Sequence, residues 1–184
     1  MHTDNQLNCG GWARQHETNK GRCGVCGDAY DDVKPLFIPP SGTFATGIVG
    51  RCYLAGTRYL SATVQLTSSH LGYFDFRLCV NNDFQKPVTQ DCLDKTVLQI
   101  EDPDGVRIGT QYNITNFRPI TLELQVLLPP GIRCTQCVLQ WRYVAGNNWG
   151  CEGSGQKKRC GLGLGPQETF VNCADIAILE SCTY

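Results

Sequence analysis

Twelve cysteines constrain this chain more than any other feature: Cys9, Cys23, Cys26, Cys52, Cys79, Cys92, Cys134, Cys137, Cys151, Cys160, Cys173 and Cys182. The number is even and the residues run from one end of the chain to the other. An oxidising compartment would turn them into as many as six disulfides, whereas a reducing cytosol rarely tolerates such a load of thiol. Two pairs are spaced C-x-x-C, Cys23/Cys26 and Cys134/Cys137. A zinc ribbon places its pairs much closer together than these two lie. A thioredoxin-like redox site needs an adjacent βαβ pattern, and none is visible. Disulfides are therefore favoured over metal for the cysteines, with their connectivity left open.

The apolar pattern is that of strands. Period two is the better template in 56–67, 73–80, 96–102, 120–129, 137–145 and 173–180. The 20 glycines and 9 prolines gather between these runs, as in "IPPSG" and "LLPPGI". Short strands with Gly/Pro punctuation and no long amphipathic helix predict an all-β fold, an antiparallel β-sandwich with long disulfide-stapled loops. Residues 9–45 carry little periodicity and read as one such loop, with room for a helical turn. At 184 residues, with no repeat and no linker, a single domain over 2–184 is expected.

Net charge is −1, and "QKKR" (156–159) is the one basic run, which argues against a nucleic-acid surface. No apolar stretch approaches the ~20 residues of a membrane helix, so no membrane partner is expected. Asn113 heads an N-I-T glycosylation acceptor, which suits a secreted, extracellular protein. No signal peptide follows Met1, and the expectation is that Met1 is an added initiator and the mature chain begins at His2.

Nucleophile chemistry finds little support. With the cysteines paired there is no free thiol, and Ser68 and Ser69 flank His70 without a G-x-S-x-G turn. Paired carboxylates cannot be ranked among 17 acids. A metal site has a better clue. A terminal His2 would offer two nitrogen donors, its α-amine and its imidazole, and His70 would add a third. All-nitrogen, tetragonal ligation without thiolate suits oxidised copper.

Five segments carry a resemblance over nearly the whole chain: "NCGG" (8–11), "GRCGVCGD" (21–28), "SSHLGYFDFRLC" (68–79), "CTQCVLQWRYVAGNNWG" (134–150) and "QETFVNCADIAI" (167–178). In this order, with an N-terminal His, they resemble the lytic polysaccharide monooxygenases, most nearly the chitin- and cellulose-active auxiliary-activity family fifteen. The resemblance implies an immunoglobulin-like or fibronectin-III-like sandwich carrying one copper ion in a "histidine brace". His2 would supply amine and Nδ1, and His70 the remaining equatorial nitrogen. Phe170 falls on the family's axial position, where Phe rather than Tyr would leave no strong ligand. The implied reaction is oxidative cleavage of crystalline chitin or cellulose by hydrogen abstraction at C1 or C4. It uses O2 or H2O2 and a small-molecule or protein electron donor, and the enzyme is expected to be a monomer.

Gln140 and Glu168 are candidates for hydrogen bonding around the copper site. Tyr30 and Trp149 are candidates for stacking on sugar rings. Tyr73 and Trp149 sit among alternating neighbours that would also suit a core position, and His16 matches no ligand position. Two rivals keep the same fold: a non-catalytic chitin- or cellulose-binding module, which has no need of His2, and a copper-storage or copper-delivery protein, which oxidises nothing.

Overall fold

The structure is a computed structural model that describes residues 7–38, 40–102, 104–105 and 108–182. Eleven strands are present among them: β1 (Arg51–Leu54), β2 (Tyr59–Leu66), β3 (Gly72–Val80), β4 (Gln99–Glu101), β5 (Ile108–Gly109), β6 (Tyr112–Ile114), β7 (Ile120–Leu127), β8 (Cys134–Val144), β9 (Trp149–Glu152), β10 (Arg159–Leu162) and β11 (Thr169–Leu179). They form a five-stranded sheet in the order β1-β11-β8-β3-β6, a four-stranded sheet β2-β7-β4-β5 and a separate β9-β10 hairpin. One short helix, α1 (Gln90–Asp94), starts at Thr89, whose hydroxyl accepts from the Cys92 N–H.

Each of the six periodic runs contains a strand. The two sheets pack face to face on Leu60, Val64, Phe74, Phe76, Leu78, Leu122, Leu124, Val126, Tyr143, Ile176 and Ile178. The smaller sheet shows the clean alternation that a one-sided sheet predicts: Leu60, Val64 and Leu66 of β2 are buried, and their neighbours Ser61, Thr63 and Gln65 are exposed. One pairing departs from the antiparallel expectation, since β1 runs parallel to β11, with Arg51 opposite Ile176.

The larger sheet behaves differently, because both of its faces are covered. On β3, Phe74 and Phe76 face the sandwich, yet the intervening Asp75 is only 1 % exposed. Its carboxylate accepts from Arg77 Nε at 2.9 Å and from Arg142 Nη2 at 2.6 Å, which satisfies a charge that would be costly alone. Arg77 also pairs with Asp94 of α1. The cover is the loop foreseen at 9–45 together with α1. The loop holds a π-helical turn, Arg14–Thr18, and with α1 it buries Cys79, Val88, Leu93 and Val138 beside Val25 and Ile38.

All twelve cysteines are paired, as Cys9–Cys23, Cys26–Cys173, Cys52–Cys182, Cys79–Cys92, Cys134–Cys137 and Cys151–Cys160. Cys26–Cys173 anchors the loop to β11, and Cys79–Cys92 anchors α1 to β3. Chain-entropy arguments make the first the strongest staple: its separation of 147 residues corresponds to about 5 kcal/mol, against about 1.6 kcal/mol for the separation of 3 at Cys134–Cys137. Replacing Cys26 and Cys173 by Ser should therefore lower the thermal midpoint far more than replacing Cys134 and Cys137. Calorimetry on both double variants tests this, and equal losses would show that the loop is held by its contacts and not by its bridge.

Candidate metal centre

His70 lies two residues before β3, at the end of the larger sheet, and is half-buried. Its backbone is fixed by the far end of β8. The His70 N–H donates to the Tyr143 hydroxyl at 3.0 Å, and the hydroxyl donates in turn to the Leu71 carbonyl at 2.6 Å. The His70 carbonyl accepts from the Gly146 N–H at 2.8 Å. Leu71 has φ +58° and Gly72 φ +84°, so the chain turns sharply between His70 and the strand. Only glycine fits at position 72, because a Cβ there would run into the Val144 carbonyl. Tyr143 is 2 % exposed, and burial pushes its hydroxyl above the ordinary value, opposed by hydrogen bonds involving His70 and Ser69. The group thus stays protonated and keeps both bonds.

The imidazole is held as firmly as the backbone. It stacks on Phe170 with ring centroids 6.2 Å apart and planes at 13°, and Phe170 stacks on Tyr143 at 5.9 Å. Nδ1 lies 3.2 Å from the Asn147 amide nitrogen. Nε2 has no hydrogen-bond partner among the described residues, although the ring is half-exposed. A ring held at Nδ1 with Nε2 left over is the layout of a metal-ligating histidine when Nδ1 carries the proton and donates it to the amide. The residues present fit a copper ion in that respect. No cluster of three or more His, Cys, Asp or Glu side chains that could hold a metal occurs among the described residues. His2 lies outside the described residues.

The structure brings His70 and Phe170 together. Glu168 stands two positions before Phe170 and accepts from Asn8 Nδ2 at 2.9 Å. The first described residue, Leu7, accepts through its carbonyl from the Val171 N–H, next to Phe170. A cleft of about 870 Å³ between β2 and β11 is lined by His70, Phe170, Trp141 and Asn172.

Gln140 is not brought to this site. Alternation along β8 turns Trp141 and Tyr143 into the sandwich and Gln140 to the opposite face. There it is 1 % exposed, donating to the Val25 carbonyl at 2.6 Å and exchanging hydrogen bonds with Gln90. Its polarity serves the buried loop. Trp149 is 73 % exposed, so a core position is excluded for it. It lies opposite Leu162 on the β9-β10 hairpin that Cys151–Cys160 closes, two residues beyond Asn147. Tyr73 is half-buried in β3, between Val144 and Asn113. Tyr30 is exposed under Arg22, whose guanidinium is 4.1 Å from the ring centroid, and lies on the loop over the other face of the sheet. His16 Nε2 meets the Gln167 carbonyl at 2.8 Å and makes a structural contact. Asn113 is exposed on the edge strand β6.

Sequence reasoning missed Tyr143, Asn147 and Gln167. Gln167 is buried and locks the loop after β8: its Nε2 donates to the Asn148 and Leu164 carbonyls, and its Oε1 accepts from the Asn148 N–H. The amide pair "NN" at 147–148, in a tight Gly-flanked turn after a strand, was the available signal.

Fold and site together define a disulfide-stapled β-sandwich that presents one firmly held histidine at the end of a sheet. The sequence matches the family described as "Lytic polysaccharide mono-oxygenase, cellulose-degrading" over residues 3–176. The chain belongs to the lytic polysaccharide monooxygenases, copper-dependent enzymes that cleave polysaccharide oxidatively. It is similar to the solved structure of an AA15 lytic polysaccharide monooxygenase from Thermobia domestica in the Cu(I) state. The two share 37 % identity with a TM-score of 0.82, covering 98 % of this chain and 89 % of that one. No curated protein matches significantly. The β-sandwich expected from the strand pattern, and its immunoglobulin-like form implied by the resemblance, is the fold found.

Removing the Tyr143 hydroxyl strands a donor and an acceptor in the turn that carries His70. Tyr143→Phe should cost about 1–3 kcal/mol of stability and loosen His70. Denaturant melts and the His70 ring resonances check it, and an unchanged melt with an unshifted His70 would remove Tyr143 from that role.

Proposed function

We propose that this protein is a secreted, monomeric, copper-dependent monooxygenase acting on crystalline β-1,4-linked polysaccharide, chitin or cellulose, by oxidation at C1 or C4. The observation that carries the reading is His70: a rigidly stacked imidazole with one nitrogen held and the other bare, at the exposed end of a sheet, in a chain of this family. One copper ion would be held by Nε2 of His70 and, where the chain begins at His2, by the α-amine and imidazole of that residue. Leu7 and Asn8, hydrogen-bonded to Val171 and Glu168, support an N-terminal segment near Phe170.

Bound copper supplies one-electron redox chemistry that activates O2 or H2O2 once an external donor, a small molecule or a protein, has reduced it. The chain's own part is positioning. Tyr143 and Gly146 fix the His70 backbone, and Phe170 fixes the ring and would turn an apolar face toward a bound metal. Phe170 offers no donor atom there, which suits a coordination sphere of nitrogens alone. Trp149 and Leu162, exposed on a disulfide-closed hairpin, give a flat apolar surface beside the site for a sugar ring to rest on. Such a face suits a crystalline substrate, where a cleft cannot thread a single chain. Glu168 is placed to order polar groups near Phe170. Tyr30, on the far side of the sheet, would contribute at the loop. An N-glycan at Asn113 would project from an edge strand into solvent.

His70→Ala should lower Cu(II) affinity by more than about 100-fold, beyond the 10–100-fold typical of losing a group that only orients a ligand. Oxidised product should disappear while adsorption to chitin or cellulose persists. Calorimetry and product chromatography check this, and retained tight copper binding would sink the assignment of His70.

Protein whose mass confirms a start at His2 should show an axial, nitrogen-rich Cu(II) resonance that the Met1-retaining form lacks, because an amide nitrogen is a far poorer donor than an amine. Identical spectra from the two forms would remove His2 from the site without touching His70.

A further inference from the structure

We propose that Asn147 is a positioning residue that selects the tautomer of His70, and so decides which ring nitrogen is open to a metal; this rests on His70 being the ligand proposed above. The Asn147 amide nitrogen stands 3.2 Å from Nδ1. With the amide N–H turned to the ring it donates, Nδ1 accepts with its lone pair, and the neutral ring carries its proton on Nε2; with Oδ1 turned to the ring, Nδ1–H donates and Nε2 keeps its lone pair. Nε2–H has no lone pair to give a metal. The first arrangement closes Nε2 to a metal and the second opens it.

A primary amide has nearly the same shape after a half-turn about χ2, which exchanges Nδ2 for Oδ1. Oδ1 can only accept. With Oδ1 against the ring, Nδ1 must carry the proton, and the lone pair appears on Nε2. The ring gives up one proton from Nε2 to water and takes one at Nδ1, so its charge and proton count are unchanged. Neither side chain leaves its place.

The rest of the site restricts the ring to this route. Turning the imidazole over would keep the stack on Phe170 but carry Nδ1 away from Asn147, while the backbone stays pinned by Tyr143 and Gly146. Asn147 is equally well placed to act: Gly146 before it bonds His70, and Asn148 after it is locked through both N–H and C=O by Gln167. Its amide makes no second hydrogen bond among the described residues, so the half-turn sacrifices nothing else.

The test uses 15N-labelled protein and long-range 1H–15N correlation of the His70 ring, at a pH where the ring is neutral. Metal-free wild type should show Nε2–H, and protein loaded anaerobically with Cu(I), which is diamagnetic, should show Nδ1–H. Asn147→Asp, nearly isosteric and an acceptor only, should show Nδ1–H without any metal. Asn147→Leu should weaken Cu(II) binding about 10–100-fold by calorimetry while keeping the wild-type circular dichroism. Metal-free Asn147→Asp with the wild-type tautomer would overturn the proposal. So would Asn147→Leu with wild-type affinity. A wild-type His70 whose resonances ignore the metal would instead sink the ligand assignment, and this proposal with it.

Discussion

The five-stranded sheet is buried on both faces, while only one of those faces meets another sheet. The other face carries Asp75, Arg77, Gln140 and Arg142 alternating with apolar residues, and it must be covered by chain that has no regular structure of its own. Irregular chain loses much conformational entropy when it is laid down in one shape. Here the cost is met by crosslinks and by buried polar pairing. Cys26–Cys173 and Cys79–Cys92 tie the cover at two places. Asp75 turns two arginines into partners, and Gln140 satisfies a loop carbonyl. Without that cover the same strands would leave a charged, half-apolar face in water.

The copper-type site depends on that cover only indirectly, through the strands it steadies. His70 sits where β3 begins, and every group that fixes it comes from the ends of β8 and β11: Tyr143, Gly146 and Asn147 from one, Phe170 from the other. Strands packed on both faces move little, so side chains at their ends inherit that rigidity. The strained turn at Leu71 and Gly72 fits this arrangement, since positive φ at a non-glycine residue persists only where neighbours over-determine it.

The strands of the two sheets could be read from the sequence where alternation was long enough to count, as in β2, β3, β7 and β8. Short elements escaped: β1, β5, β6 and α1 span two to five residues, too few to display a period. His70 and Phe170 were legible through their ordered motifs, and the structure stacks one ring on the other. Gln140 was misjudged because a glutamine looks the same whether it faces a metal or a buried loop; only the phase of β8 separates the two. The core alternative for Trp149 fails for a related reason. Its hairpin stands apart from both sheets, so alternation there reports pairing and not burial. Tyr143 carries no polar signal at all until its hydroxyl is seen beneath the His70 turn.

Pairing every cysteine has a consequence for how the protein can be fed electrons. A donor need only be mild to charge a copper centre, whereas a strongly reducing one is also a threat to disulfides, and this fold has six. Structural disulfides typically resist donors above about −300 mV. Five of the six bridges have at least one partner buried or half-buried; Cys151–Cys160 alone has both exposed, on the hairpin that presents Trp149. A strongly reducing or thiol-bearing donor would open that bond first and slacken the hairpin that presents Trp149. The donor compatible with this architecture is a mild one-electron reductant, and the weakest bridge sets the limit.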